Sequence, residues 1–127
     1  MRTIGNAMLR KYLVSLKEND LAVLFAAVKG AHRGGLHINA ATYEIIISKL
    51  CAADKYTVAM KVYEEMIAHK VLPVSMTFGR LMEHNLKRDN PAVCHVLFHD
   101  MLRYGAKPNT FVYHELIRSM AHYTPSR

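Results

Sequence analysis

Long apolar runs are missing from this 127-residue sequence. The longest, the eight residues from Leu21 to Val28, falls far short of the roughly 20 that a membrane-spanning helix requires, so no membrane partner is expected. Cysteine is scarce. Cys51 and Cys94 each sit inside an apolar helical pattern, and nothing near the N-terminus has the long apolar core of a secretory signal, which together fit a reducing intracellular compartment. Acidic residues are also few: 10 Asp and Glu stand against 17 Lys and Arg, a net charge of +7 with neutral histidine. A surface of that sign attracts polyanions through counterion release, and nucleic acid is the partner class it suggests. The first 17 residues carry Arg2, Arg10, Lys11 and Lys17 with no acid. That bias fits either an organelle transit segment or simply a basic first helix.

The machinery of catalysis is absent too. There is no Gly-rich phosphate loop, no nucleophile elbow and no cluster of aspartates suited to magnesium. His114-Glu115 begins like a zinc-protease helix motif, but Arg118 stands where the second histidine belongs. Cys94, His95 and His99 form the best metal-like cluster. Cys94 lies on an apolar stripe, His95 is about 100° around the helix from it, and no fourth ligand is apparent. Glu64, Glu65 and Asp100 fall on helices as solvated residues. No enzyme activity, metal or cofactor is expected.

What is present is a repeat. Residues 40–74, 75–109 and 110 onward align without gaps, their starts 35 residues apart. The first helix of each unit carries one apolar stripe: Tyr43, Ile46, Ile47, Leu50, Cys51; then Phe78, Leu81, Met82, Asn85, Leu86, with Asn85 as its one break; then Tyr113, Leu116, Ile117, Met120, Ala121. A second helix follows in two units, with Ala59, Val62, Tyr63, Met66, Ile67 and with Cys94, Leu97, Phe98, Met101, Leu102. The small residues Ala59 and Cys94 suit close helix approach.

Boundaries agree with the stripes. Asn90-Pro91 reads as an N-cap and first helical position, and Gly105 as a left-handed helix stop, with Lys70 in the equivalent place one unit earlier. Residues 1–39 form a degenerate capping unit, with stripes Leu9, Tyr12, Leu13, Leu16 and Leu21, Leu24, Phe25, Val28. Each unit is then a helical hairpin with apolar faces that only a neighbour can bury. The expected fold is an all-α solenoid of stacked hairpins, a capping unit over 1–39, repeats over 40–74 and 75–109, and a partial repeat over 110–127.

The wording of the units carries a resemblance. Thr42-Tyr43-Glu44-Ile45-Ile46-Ile47-Ser48-Lys49-Leu50-Cys51, then Ala59-Met60-Lys61-Val62-Tyr63-Glu64-Glu65-Met66 and Val71-Leu72-Pro73-Val74, resemble a pentatricopeptide repeat. The next unit agrees at Thr77-Phe78, Leu97-Phe98-His99-Asp100-Met101 and Gly105-Ala106-Lys107-Pro108-Asn109. The tetratricopeptide alternative has a 34-residue period and wants a tryptophan, and this chain has none. The resemblance implies a small, organellar, RNA-associated protein.

In that family the fifth and last residues of a unit read one base while the second stacks on it. By position, the second residues are Ala41, Met76 and Phe111, the fifth are Glu44, Gly79 and His114, and the last are Asn39, Val74 and Asn109. Relatives that read bases usually place Asn, Thr or Ser fifth and Asp, Asn or Ser last, whereas Glu44 is paired here with Val74 and Gly79 with Asn109. Val74 has no polar side-chain group, Gly79 offers only backbone, and Glu44 repels phosphate. Phe111 is suited to stacking on a base or to meeting a neighbouring protein. Lys87 and His122, in the last turns of their helices, fit phosphate contact or helix-dipole complement, and Arg118 adds a further cation.

The expectation drawn from these residues is a noncatalytic subunit of a ribonucleoprotein in the mitochondrial matrix, most readily the mitochondrial ribosome. It would contact RNA, rRNA in that case, through its basic surface without sequence specificity, and neighbouring proteins through exposed repeat faces. The alternative is a protein-only helical scaffold or accessory subunit of a mitochondrial complex. The last helix, Tyr113 to about His122, is followed only by Thr124-Pro125 and a terminus at Arg127, so its apolar face is expected to need a partner.

Overall fold

The computed structural model describes residues 4–123, and the side chains of residues 4–121. The expectations that rest on Arg2, on the His122 side chain and on Thr124-Pro125 lie outside the described residues. Among those described, the chain forms seven α-helices and no strand: α1 (Asn6–Ser15), α2 (Leu21–Arg33), α3 (Ala40–Ala52), α4 (Tyr56–Ala68), α5 (Ser75–Lys87), α6 (Pro91–Arg103) and α7 (Thr110–Tyr123). The architecture is all-α and consistent with a helical-repeat solenoid.

The helices stop by one device. In five of them a backbone N–H six residues on reaches back to a carbonyl: Leu36 to Ala31, Lys55 to Leu50, Val71 to Met66, Asn90 to Asn85 and Ala106 to Met101, at 2.8–3.0 Å. The residue before each donor takes the left-handed conformation that closes such a motif: Gly35, Asp54, Lys70, Asp89 and Gly105. Helix starts are more varied. Asn39 caps α3 through its side chain, which accepts from Thr42 N, and Pro91 opens α6 without any side-chain cap from Asn90.

Packing follows the stripes. Tyr43, Ile46, Ile47 and Leu50 of α3 are buried, as are Ala59, Tyr63 and Met66 of α4. Phe78, Leu81, Met82 and Leu86 of α5 bury in the same way against Cys94, Leu97 and Met101 of α6. Ala59 and Cys94 are fully buried, as close helix approach requires. Asn85, the break in the α5 stripe, is buried and satisfied by donating 2.8 Å to Leu81 O. The odd-numbered helices form a continuous layer, α1 on α3, α3 on α5 and α5 on α7, while α2, α4 and α6 stand apart from one another. Clefts open between them, one of about 320 Å³ lined by Phe25, Val28, Ile38 and Val62, and one of about 270 Å³ lined by Ile67, Val71, Leu72 and Tyr104. A layer packed on one side and splayed on the other curves with α1, α3, α5 and α7 inside.

Four stripe residues do not bury as expected. Tyr113 is half exposed because no helix lies over the outer face of α7 among the described residues. Tyr12 of α1 is exposed at the opposite end of the stack. Phe25 is exposed because it borders the cleft between α2 and α4 instead of meeting α4 directly. Leu102 is exposed although its counterpart Ile67 is half-buried: Ile67 faces Tyr104 of the following hairpin, and Leu102 has no such successor.

Candidate nucleic-acid interface

The inner layer presents the second and fifth residues of each unit. Ala41 and Met76 are exposed near the starts of α3 and α5, and His114 is exposed on α7. Phe111 is only half exposed, because its ring lies over Gly79 on the neighbouring helix; a Cβ at Gly79 would meet ring carbons Cδ2 and Cε2 at 2.6 and 2.8 Å. Of the two roles open to Phe111, stacking on a base or meeting a partner, neither describes its position. It fills the space that a fifth-position side chain would occupy in the preceding unit.

Glu44 is occupied as well. Its Oε1 accepts from Ser48 Oγ at 2.9 Å and lies 3.8 Å from Arg80 Nε. The Arg80 guanidinium also stands 5.9 Å from the centre of the Phe111 ring. Arg80 thus ties the fifth residue of one unit to the second residue of a unit two helices away, and sequence reasoning passed over it. The signal was present: Glu44 and Arg80 are opposite charges 36 positions apart, about one repeat length, and the inter-helix hydrogen bonds from Asn6 to Thr42 and from Tyr63 to Asp100 are separated by 36 and 37.

The last residues of the units act as helix starts. Asn39 Oδ1 accepts from Thr42 N at 3.0 Å and lies 2.9 Å from Thr42 Oγ1 and 3.4 Å from Arg10 Nη1. Asn109 Oδ1 accepts from Val112 N at 2.9 Å. Val74 begins α5 with no cap at all, and two positions on from Ser75 the buried Thr77 Oγ1 is left without a hydrogen-bond partner. Thr42 at the matching place shares its hydroxyl proton between Asn6 Oδ1 at 2.8 Å and Asn39 Oδ1.

The cations divide between structural and outward roles. Lys49 Nζ donates to Leu16 O at 2.6 Å, capping the end of α1. Arg88 pairs with Asp54 at 3.0 Å and stacks 4.5 Å over Tyr56, and Arg118 pairs at 3.2 Å with the buried Glu115. Lys87 is exposed at the end of α5, beside a cleft of about 320 Å³ that it lines with Ser48, Arg80, Glu83 and His84. Asp100, expected as a solvated face residue, instead accepts a 2.8 Å hydrogen bond from Tyr63.

The thiols face inward. Cys94 Sγ donates to Met82 O at 3.2 Å and burial pushes its pKa up to about 11, while burial raises Cys51 to about 12. Both are therefore held as neutral thiols, the form least suited to ligating a metal or attacking a substrate. No helix of the described residues is long and apolar enough to cross a membrane.

Residues 27–87, from the middle of α2 to the end of α5, match the family model of the pentatricopeptide repeat domain. This is a pentatricopeptide repeat protein. Domains of this family are generally noncatalytic, RNA-binding helical repeats. No curated protein matches the chain. The matched stretch holds Asn39, Ala41, Glu44, Val74, Met76, Gly79 and Lys87, whereas Asn109, Phe111, His114 and Arg118 fall beyond it.

Proposed function

We propose that this pentatricopeptide repeat protein is a noncatalytic subunit of a mitochondrial ribonucleoprotein, its ribosome being the foremost candidate, and that it contacts RNA by charge and shape instead of reading bases. In this reading the chain is a single solenoid of period 35, with a capping unit over 1–39, repeats over 40–74 and 75–109, and a partial repeat from 110. The observation that carries it is the contact of Phe111 with Gly79, which fills a base-reading position from within the protein. Asn39 and Asn109, engaged as helix caps, and the apolar Val74 support it. The net charge of +7 supplies the attraction that remains.

Affinity for a structured RNA and for single strands of different sequence, measured over a salt series, tests this. The expected result is binding that varies little with sequence, with log K falling linearly in log salt by about 0.7 to 0.9 per phosphate contact. Co-sedimentation of the tagged protein with a mitochondrial particle tests the assignment to that assembly. A protein-only scaffold is the second reading, favoured by the exposed outer face of α7. Absence of RNA affinity at low salt selects it.

A further inference from the structure

The hairpins α3–α4 and α5–α6 show what the face of α7 is built to receive. Tyr43 and Ile47 of α3 are 7% and 0% exposed, and Phe78 and Met82 of α5 are both 0% exposed. At the same places on α7, Tyr113 is 49% and Ile117 is 65% exposed. In the first two cases the covering element is an antiparallel helix with one pattern: Ala59, Val62, Tyr63 and Met66 on α4, and Cys94, Leu97, Phe98 and Met101 on α6. Burial on the inner sides of α7 is already complete, with Val112, Glu115 and Ser119 enclosed against α5 and α6.

We infer that the outer face of α7 docks an amphipathic helix of a partner protein, seated as α4 is on α3, and presenting a small residue followed at spacings of three, four and seven by apolar ones. This rests on the reading of the chain as a subunit of an assembly and specifies how it is held there. Charge narrows the partner further. The exposed ionisable groups on the described part of α7 are His114 and Arg118, and its one carboxylate, Glu115, is buried against Arg118. The docked helix is therefore acidic beside its apolar stripe, as α4 is with Glu64 and Glu65. Tyr113 and Ile117 are the anchors, since a large apolar group half to two-thirds exposed has most to gain from cover.

A peptide of residues 55–69 of this chain, helix-stapled between the exposed positions 57 and 61, serves as the probe, since an unsupported helix of that length is marginal in water. The full protein should bind it, with slowed hydrogen exchange on α7. Ile117→Ser or Tyr113→Ala, both at exposed positions, should weaken binding by about tenfold or more, Met8→Ser on exposed α1 should not, and replacing Glu64 and Glu65 of the peptide by Lys should weaken it several-fold. Binding that ignores Ile117→Ser, or that leaves α7 exchange unchanged, overturns the proposal. So does concentration-dependent self-association abolished by Ile117→Ser, which assigns the face to a second copy, or loss of RNA affinity in that variant, which assigns it to RNA. Peptide docking by a chain that binds no RNA sustains this inference while removing the RNA reading.

Discussion

The ring of Phe111 rests on the backbone of Gly79, close enough that a single methyl group there would overlap it, the nearest ring carbon being 2.6 Å from the added Cβ. Gly79→Ala should therefore be destabilising by about 1–2 kcal/mol, because overpacking a closed contact outweighs the gain in helix propensity. In a Phe111→Ala background the same change should turn stabilising by about 0.5–1 kcal/mol. Denaturant melts of the four proteins in this cycle measure the coupling. Additive effects would mean that the contact does not govern the position.

Leu50 and Met66 are fully buried on the facing stripes of α3 and α4. Leu50→Ala and Met66→Ala should each cost about 2–5 kcal/mol as large-to-small core changes. Glu44→Ala removes one hydrogen bond to Ser48 and a long, partly exposed ion pair with Arg80, and should cost about 1 kcal/mol or less. Thermal melts that ranked Glu44→Ala above either core variant would show the helix faces to be misassigned.

Val74 stands where Asn39 and Asn109 stand at the starts of α3 and α7. Its backbone is already extended, as an N-cap requires, and the buried Thr77 Oγ1 nearby has no partner. Val74→Asn should stabilise the protein by about 1 kcal/mol by supplying the acceptor that Asn39 gives Thr42. A rise in melting temperature is the expected readout, and the Thr77→Val variant should show a smaller rise.

Burial holds the His84 imidazole below its ordinary pKa, assisted by Arg88 and Lys87 and opposed by Asp54 and Glu83. Its Nε2, 3.6 Å from Asp54 Oδ1, has no hydrogen-bond partner. The folded state therefore refuses a proton that the unfolded chain accepts near pH 6.5. Stability should be fully present above that pH and decline as pH falls through it toward the folded value. Melts between pH 8 and pH 5 on the protein and on His84→Gln isolate this contribution. An equal decline in both would exclude His84 as its source.

The helices and their buried faces were legible in the sequence because periodic apolar spacing records which side of a helix is covered. Tyr43, Phe78, Ala59 and Cys94 lie where that spacing puts them. It cannot record whether a neighbour exists, and so Tyr113 carries the same pattern as Tyr43 on an open face. The family positions were legible too, but not their use. That Phe111 closes over Gly79, and that Asn39 and Asn109 turn their amide oxygens onto helix ends, are contacts between segments. Glycine and asparagine allow them without announcing them.

The continuous layer of α1, α3, α5 and α7 and the separated α2, α4 and α6 have a mechanical meaning. Bending that narrows or widens the outer clefts disturbs few direct contacts between helices there, while sliding within the inner layer would break the packing of Leu50, Phe78 and Leu81. The molecule is thus a strip with an inextensible inner surface and a compliant outer one. Its easiest deformation is a change in curvature, the kind that lets a short stack conform to a neighbour whose surface has a radius of its own.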